Sequence, residues 1–271
     1  MNGFESILNE VKNRTAVNRL QGDYEENGVL MCGKCHTPKE CVTFTNGIKG
    51  KWPVLCRCEE ERKKAEQAVR DKIQRDSRIR ERRDSCFRFK KMQSWTFKND
   101  DLSNKKLTAV AHDFVDSFSR KCPGLLIFGP VGTGKSYIAA AIANELLDKG
   151  FTCYCTTFST VANEMLEKID SKQSYIDSLT RFDLLVIDDL AAERDTKYMN
   201  EVVFDVINSR YLTGKPLIVT TNLSINELQN PQEQNWQRVI SRLKEMCKFI
   251  PVDGKDRRHE KLLERYAAKE D

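Results

Sequence analysis

The stretch Gly129-Pro130-Val131-Gly132-Thr133-Gly134-Lys135-Ser136 constrains this chain more than any other. Four apolar residues, Leu125 to Phe128, precede it and predict a short buried strand. Good helix formers follow it through Leu147. Strand, glycine-rich loop and helix is the setting in which the pattern G-x-x-x-x-G-K-[ST] holds phosphates. Glycines let the loop curl so that successive backbone N–H groups point inward at anionic oxygens. The helix start adds free N–H groups and a positive dipole end. Lys135 supplies a compact charge for β- and γ-phosphates, and Ser136 a hydroxyl for Mg2+. The segment from Gly129 to Tyr137 is therefore the candidate ATP-binding loop.

The rest of the chain alternates strand and helix signals. Leu107, Val110, Ala111, Phe114, Val115 and Phe118 recur at helical spacing. Beyond the loop, strands are predicted at 152–157, 184–188 and 217–221, with a last one near 249–252. Helices are predicted at 161–169, 198–211 and 236–246, and from Arg258 onward. Such alternation predicts an α/β fold: a parallel sheet with helices on both faces. Cys153 and Cys155 alternate along a strand and read as small buried side chains.

Three more motifs end in polar groups. Leu184 to Ile187 lead into Asp188-Asp189, 53 positions after Lys135 and so two strand–helix units on. A carboxylate at that strand end can hold Mg2+ (Asp188), and the next can activate water. Asp189 is one methylene shorter than the Glu that ATPases of this architecture commonly carry, so Glu193, one turn on, is a second candidate base. Leu217 to Thr221 end in Asn222, an amide able to sense a γ-phosphate. Arg238 and Arg242 lie one helical turn apart; they read either as a surface salt-bridge pair or as an arginine finger inserted into a neighbouring subunit's ATP. Arg257 and Arg258 follow a turn at Asp253-Gly254 and read as a basic helix start or as contacts to the γ-phosphate.

Ahead of this domain stands a different composition. Five of the ten cysteines lie between Cys32 and Cys58. Cys32-x-x-Cys35 and Cys56-x-Cys58 flank 20 residues, and two close pairs can bring four thiolates to a tetrahedral Zn2+. Cys41 and His36 are spare ligand candidates. A segment this short holds together poorly by core burial alone, and structural zinc would supply the missing order; free thiols without metal, or a redox pair, are the other reading. Three parts follow: residues 1–58 as a cysteine module, 59–90 as a charge-rich helical linker, and 91–271 as the α/β domain. The linker reads as a solvated spacer, with nucleic-acid contact through Arg75, Arg78, Arg80, Arg82 and Arg83 as the other reading. No apolar run reaches membrane-span length and residues 1–10 lack a signal-peptide core, so a cytoplasmic chain without membrane contact is expected. The net charge of +5 does not by itself demand nucleic acid.

With these residues in place the chain resembles the DnaC/DnaI-type helicase loaders, AAA+ ATPases found in this form in phages and Gram-positive bacteria. The resemblance rests on Cys32-Gly-Lys-Cys35-His-Thr-Pro-Lys, Gly129 to Ser136, Asp188-Asp-Leu-Ala-Ala-Glu-Arg-Asp195, Asn208-Ser-Arg-Tyr211 and Lys215-Pro-Leu-Ile-Val-Thr-Thr-Asn222. Arg238-Val-Ile-Ser-Arg242 is similar to the finger helix of the wider DnaA-like group, which implies Arg242 as finger, Arg238 as its support and Arg258 as a second sensor. Ala191 departs from the Gly often found after Asp-Asp-Leu.

The resemblance implies an AAA+ ATPase using ATP and Mg2+. A zinc module would grip a DnaB-like hexameric helicase, and the ATPase domain would bind single-stranded DNA and self-associate. It places DNA contact within 158–181, with Lys168 and Lys172 on phosphates and Phe158 or Tyr175 on bases. Trp95 or Phe97 would border the adenine. Two other readings share the core: an IstB-type transposition helper, and an ATP-switched adaptor with negligible hydrolysis.

Overall fold

A computed structural model describes residues 18–45, 48–101, 103–167, 171–190, 197–259 and 266. It divides into two units, 1–76 and 77–271, and the division falls inside one long helix.

The smaller unit is built from two hairpins. Strands β1 (Tyr24–Glu26) and β2 (Val29–Met31) pair antiparallel around Asn27-Gly28. Both turn residues have positive φ, the requirement of a tight hairpin turn and the reason for the Asn-Gly sequence. Strands β3 (Glu40–Thr45) and β4 (Ile48–Pro53) form the second hairpin. Helix α1 (Arg57–Cys86) follows.

The larger unit carries a five-stranded sheet, every pair parallel, in the order β6-β7-β8-β5-β9. Its strands are β5 (Gly124–Phe128), β6 (Cys153–Thr157), β7 (Leu184–Leu190), β8 (Leu217–Thr221) and β9 (Cys247–Pro251). The helices are α2 (Lys105–Asp116), α3 (Lys135–Asp148), α4 (Phe158–Glu167), α5 (Lys172–Thr180), α6 (Lys197–Thr213), α7 (Ile225–Gln229) and α8 (Gln234–Met246).

Alternation along each strand divides the core in two. Leu126, Leu185, Ile187, Leu217 and Val219 face α4, α5, α6 and α8. Leu125, Ile127, Leu184, Val186 and Ile218 face α2 and α3. A strand buried on both faces reads as a continuous apolar run, which is why β5 and β8 are so legible. Cys153 and Cys155 are both buried, as their alternation predicts. The end of α1 joins this core through Cys86. Arg82 donates to the Gly150 carbonyl (2.6 Å), and Arg83 to Asn144 Oδ1 (3.0 Å) and Asp148 (2.5 Å). Those two arginines therefore anchor the helix and are not held out for nucleic acid.

The consequence for function lies in the register. Phe128 pairs with Thr221, and Ile187 with Val219. Parallel strands in register end together, so the loop after β5, the acids of β7 and the amide after β8 share one edge of the sheet.

Candidate nucleotide site and cysteine cluster

The loop after β5 folds as a cradle. Gly129 has φ 141° and lies so close to β9 that a Cβ there would sit 2.1 Å from the Val252 carbonyl oxygen. Gly134, at φ 94°, turns the chain left-handed into α3, a conformation unfavourable to other residues. Thr133 is buried and donates to the Pro130 carbonyl at 2.9 Å, tightening the curl. The Lys135 ammonium turns back into the loop. It donates to the carbonyls of Gly129 (2.8 Å) and Pro130 (2.7 Å) and to Asn222 Oδ1 (2.8 Å). Burial pulls that ammonium below its ordinary pKa, against the carboxylates of Asp189 and Asp188.

Beside the loop lies a cleft of about 370 Å³. Of the residues singled out from the sequence it brings together Val131, Gly132, Gly134, Lys135, Ser136, Tyr137, Asp189, Asn222, Arg257 and Arg258. Trp95 also lines it, whereas Phe97 stacks on His112 with ring centroids 4.2 Å apart. Phe97 therefore does not border the cleft. Tyr137 donates its hydroxyl to the Thr96 carbonyl at 2.8 Å, fixing the cleft wall to α3.

The two acids differ in placement. Asp188 accepts a short hydrogen bond from the Thr220 hydroxyl. That same oxygen accepts the Asp189 N–H at 3.0 Å. The register shift in β7 and the positive φ of Asp189 (58°) turn the second acid toward the cleft. Burial and the neighbouring Asp188 charge raise the Asp189 carboxyl above the usual range, against the pull of Lys135 and Arg258. Glu193 lies outside the described residues, as does Lys168.

Arg257 and Arg258 are given different surroundings. Arg257 forms an ion pair with Asp101, and its backbone N–H donates to the Gly132 carbonyl at 3.1 Å. The pair holds the Asp101 carboxyl well below the usual range. Arg258 lines the cleft, where its charge acts on the Asp189 carboxyl.

Arg238 and Arg242 lie outside this cleft, on α8. Neither guanidinium has an ion-pair partner among the described residues; both stand over the Phe204 ring. Phe158 and Tyr175 are buried in the core, so neither offers a free face to a base. Lys172 holds its ammonium 5.4 Å from the Tyr198 ring centroid.

In the smaller unit the Sγ atoms of Cys32, Cys35, Cys56 and Cys58 all lie within 4.8 Å of one another. Cys32 and Cys58 are 3.6 Å apart, Cys56 and Cys58 3.4 Å. A tetrahedral Zn2+ with bonds of about 2.3 Å sets its sulfurs about 3.8 Å apart, so this donor set fits that ion. Cys41 sits on β3 opposite Trp52, and His36 bonds Tyr24 at 3.1 Å; neither joins the cluster. The Thr37 hydroxyl chiefly draws the Cys35 thiol down to about 5, while the neighbouring thiols push Cys58 up to about 12.

The sequence reading missed three supports. Asp23 braces the first cysteine pair, accepting from Gly33 N–H (3.0 Å), Leu20 N–H (2.8 Å) and the buried Lys39 (2.6 Å). Thr220 joins the two acids. Arg210 is fully buried, its guanidinium donating to the carbonyls of Thr180, Phe182, Asp183 and Pro216. Thr220 carried a signal as a hydroxyl two residues before the polar end of a buried strand, and Arg210 lay within the motif Asn208-Ser-Arg-Tyr211 without a role read for it.

Comparison with known proteins follows this geometry. The family model for IstB-like ATP binding proteins matches residues 60–264. The chain belongs to that family. It is 24% identical over 280 residues to the replicative helicase loader DnaI of Bacillus subtilis (strain 168), covering 94% of this chain and 86% of the relative. To the replicative helicase loader DnaC of Escherichia coli (strain K12) it is 28% identical over 122 residues, 44% of this chain and 50% of that one. The crystal structure of a DnaC helicase loader superposes with a TM-score of 0.55 at 21% identity, over 61% of this chain and 100% of that chain; it shows the shared fold. Among its described residues no helix is long and apolar enough to cross a membrane.

Proposed function

We propose that this protein is an ATP-dependent loader that places a replicative DNA helicase on single-stranded DNA in the cytoplasm. One observation carries the reading: the similarity to DnaI spans 94% of this chain. A match of that length takes in the cysteine cluster as well as the nucleotide cleft.

In this reading the loop N–H groups and Lys135 hold the β- and γ-phosphates. Ser136 and Asp188 are the hard oxygen donors that would hold Mg2+, which when bound neutralises charge on the triphosphate. Asp189 faces the cleft with a raised carboxyl pKa and serves as base toward the attacking water; Glu193 is the alternative. Asn222 already bonds Lys135, so a γ-phosphate arriving between them is felt at the end of β8. Arg258 approaches from the C-terminal side as second sensor. Arg242, supported by Arg238, enters the cleft of the next subunit. Cys32, Cys35, Cys56 and Cys58 hold structural Zn2+ and shape the helicase-gripping unit.

The test is capture of the hexameric replicative helicase by the full chain, with ATP turnover measured in the presence of single-stranded DNA. Helicase capture that depends on nucleotide is expected. Absence of capture under every nucleotide condition sinks the proposal. The IstB-like family model favours a second reading, a transposition helper. That model begins at residue 60, beyond the cysteine cluster, whereas the DnaI match takes the cluster in. Preference for duplex DNA together with capture of a transposase would decide for it.

A further inference from the structure

Arg238 and Arg242 have no carboxylate partner among the described residues, yet they are not left to wander. Both guanidiniums stack on one ring. The Arg238 Cζ lies 4.2 Å from the Phe204 centroid, and the Arg242 Cζ 4.4 Å. Tyr211, two turns along the same helix α6, stands 5.8 Å from Arg242 and has its own hydroxyl tied to Glu245 at 2.9 Å. Val239, Ile240 and Leu243 bury the other side of α8 and fix its rotation against α6. Arg242 Nη1 is shielded from solvent and has no hydrogen-bond partner within the described residues.

Two like charges on one ring repel each other, so this arrangement is held against electrostatics by the ring's negative faces and by helix packing. An Arg side chain otherwise carries large rotamer freedom, and ordering it at the moment of reaction slows the step it serves. A ring that stacks the guanidinium beforehand removes that penalty. A carboxylate in the same place would also order it, but would neutralise the charge that a triphosphate needs to meet.

We propose that Phe204 is the positioning residue of the trans-acting arginine pair: its ring holds Arg242 extended and charge-free of partners until a neighbouring subunit's triphosphate arrives. The inference rests on the reading of Arg242 as a finger, and the test separates the two. ATP turnover is measured on the full chain with single-stranded DNA for Phe204→Leu, Phe204→Tyr and Arg242→Ala. Phe204→Leu lowers kcat about tenfold, the worth of one half-buried cation–π contact, with KM for ATP unchanged. Phe204→Tyr, which keeps the ring, restores turnover to within about twofold of the native rate. Arg242→Ala loses turnover by about 10³-fold or more.

Mixing then locates the defect. An excess of Lys135→Ala chains, dead in their own clefts but with intact arginine pairs, restores turnover to both Phe204→Leu and Arg242→Ala chains. Rescue also shows that the Phe204→Leu chain folds around a sound cleft. If Arg242→Ala is rescued and Phe204→Leu is not, or if Phe204→Leu turns over as the native chain does, Phe204 is not the positioning residue. If Arg242→Ala is not rescued, or keeps native turnover, the finger reading itself fails and the inference with it.

Discussion

Lys135 shows how much one side chain does at this site. Its ammonium bonds two loop carbonyls and the Asn222 amide, so it closes the loop before any phosphate enters. Replacing it removes both the closure and the charge. Lys135→Ala should lose ATP turnover by two orders of magnitude or more, roughly what a preorganised charge contributes to a phosphoryl-transfer site. A titration with a fluorescent nucleotide checks that binding falls with it. Thr220→Val should leave the fold intact yet lower turnover about tenfold, because Asp188 loses the hydroxyl that orients it and Asp189 loses its N–H acceptor.

Asp183 gives a pH dependence with a definite sign. Burial alone would raise its carboxyl pKa, but Arg120 and the Thr152 N–H and hydroxyl outweigh that and hold it below the ordinary value. A depressed pKa means the unfolded chain binds the proton more tightly. The stabilisation is then complete above the unfolded value of about 3.9 and fades as pH falls through the lower folded value. Asp183→Asn should cost about 1–2 kcal/mol near neutral pH, moderated by the exposure of Arg120. Thermal melts of the two proteins should converge as pH is lowered below about 4. A gap that widens on acidification would overturn the assignment.

At the scale of elements, the parallel strands were readable because both faces are buried. Leu125 to Phe128 and Leu217 to Thr221 have no polar face to blur the pattern, and the observed strands match them to within one residue. Helix α5 went unread. Lys172–Thr180 carries only Tyr175, Ile176 and Leu179 toward the core, too short a stripe to stand out. The cysteine hairpins went unread as well, since short strands in a small unit carry little alternation. Among the described residues of that unit only Leu30, Cys32 and Cys56 are buried apolar side chains, so a metal held by the four sulfurs would supply much of its order. Chelation of metal from the native chain should release one zinc per chain, measurable with a colorimetric zinc indicator. It should lower the melting temperature of the small unit and leave nucleotide binding unchanged. Cys58→Ser should do the same, while Cys41→Ser should do neither.

On the scale of the whole molecule, the cleft gathers Lys135, Ser136, Asp189, Asn222, Arg257 and Arg258 from one chain. Arg238 and Arg242 lie outside it, on α8, without ion-pair partners. Under the proposed function, a triphosphate bound at the loop would take its finger from a second copy. Sedimentation with Mg-ATP should show self-association that the Lys135→Ala chain lacks, and a chain that stays monomeric at saturating nucleotide would remove the finger argument.

The sequence by itself determined the nucleotide loop, the two acids, the amide after β8 and the two close cysteine pairs, because each depends on local spacing and on residue chemistry. Tertiary structure alone decided which acid faces the cleft, which of two adjacent arginines is tied down by Asp101, and which cysteines stand together. Those outcomes depend on a register shift, an ion pair and a clustering of sulfurs between residues far apart in the chain, and separations of that kind leave no periodic mark in the sequence.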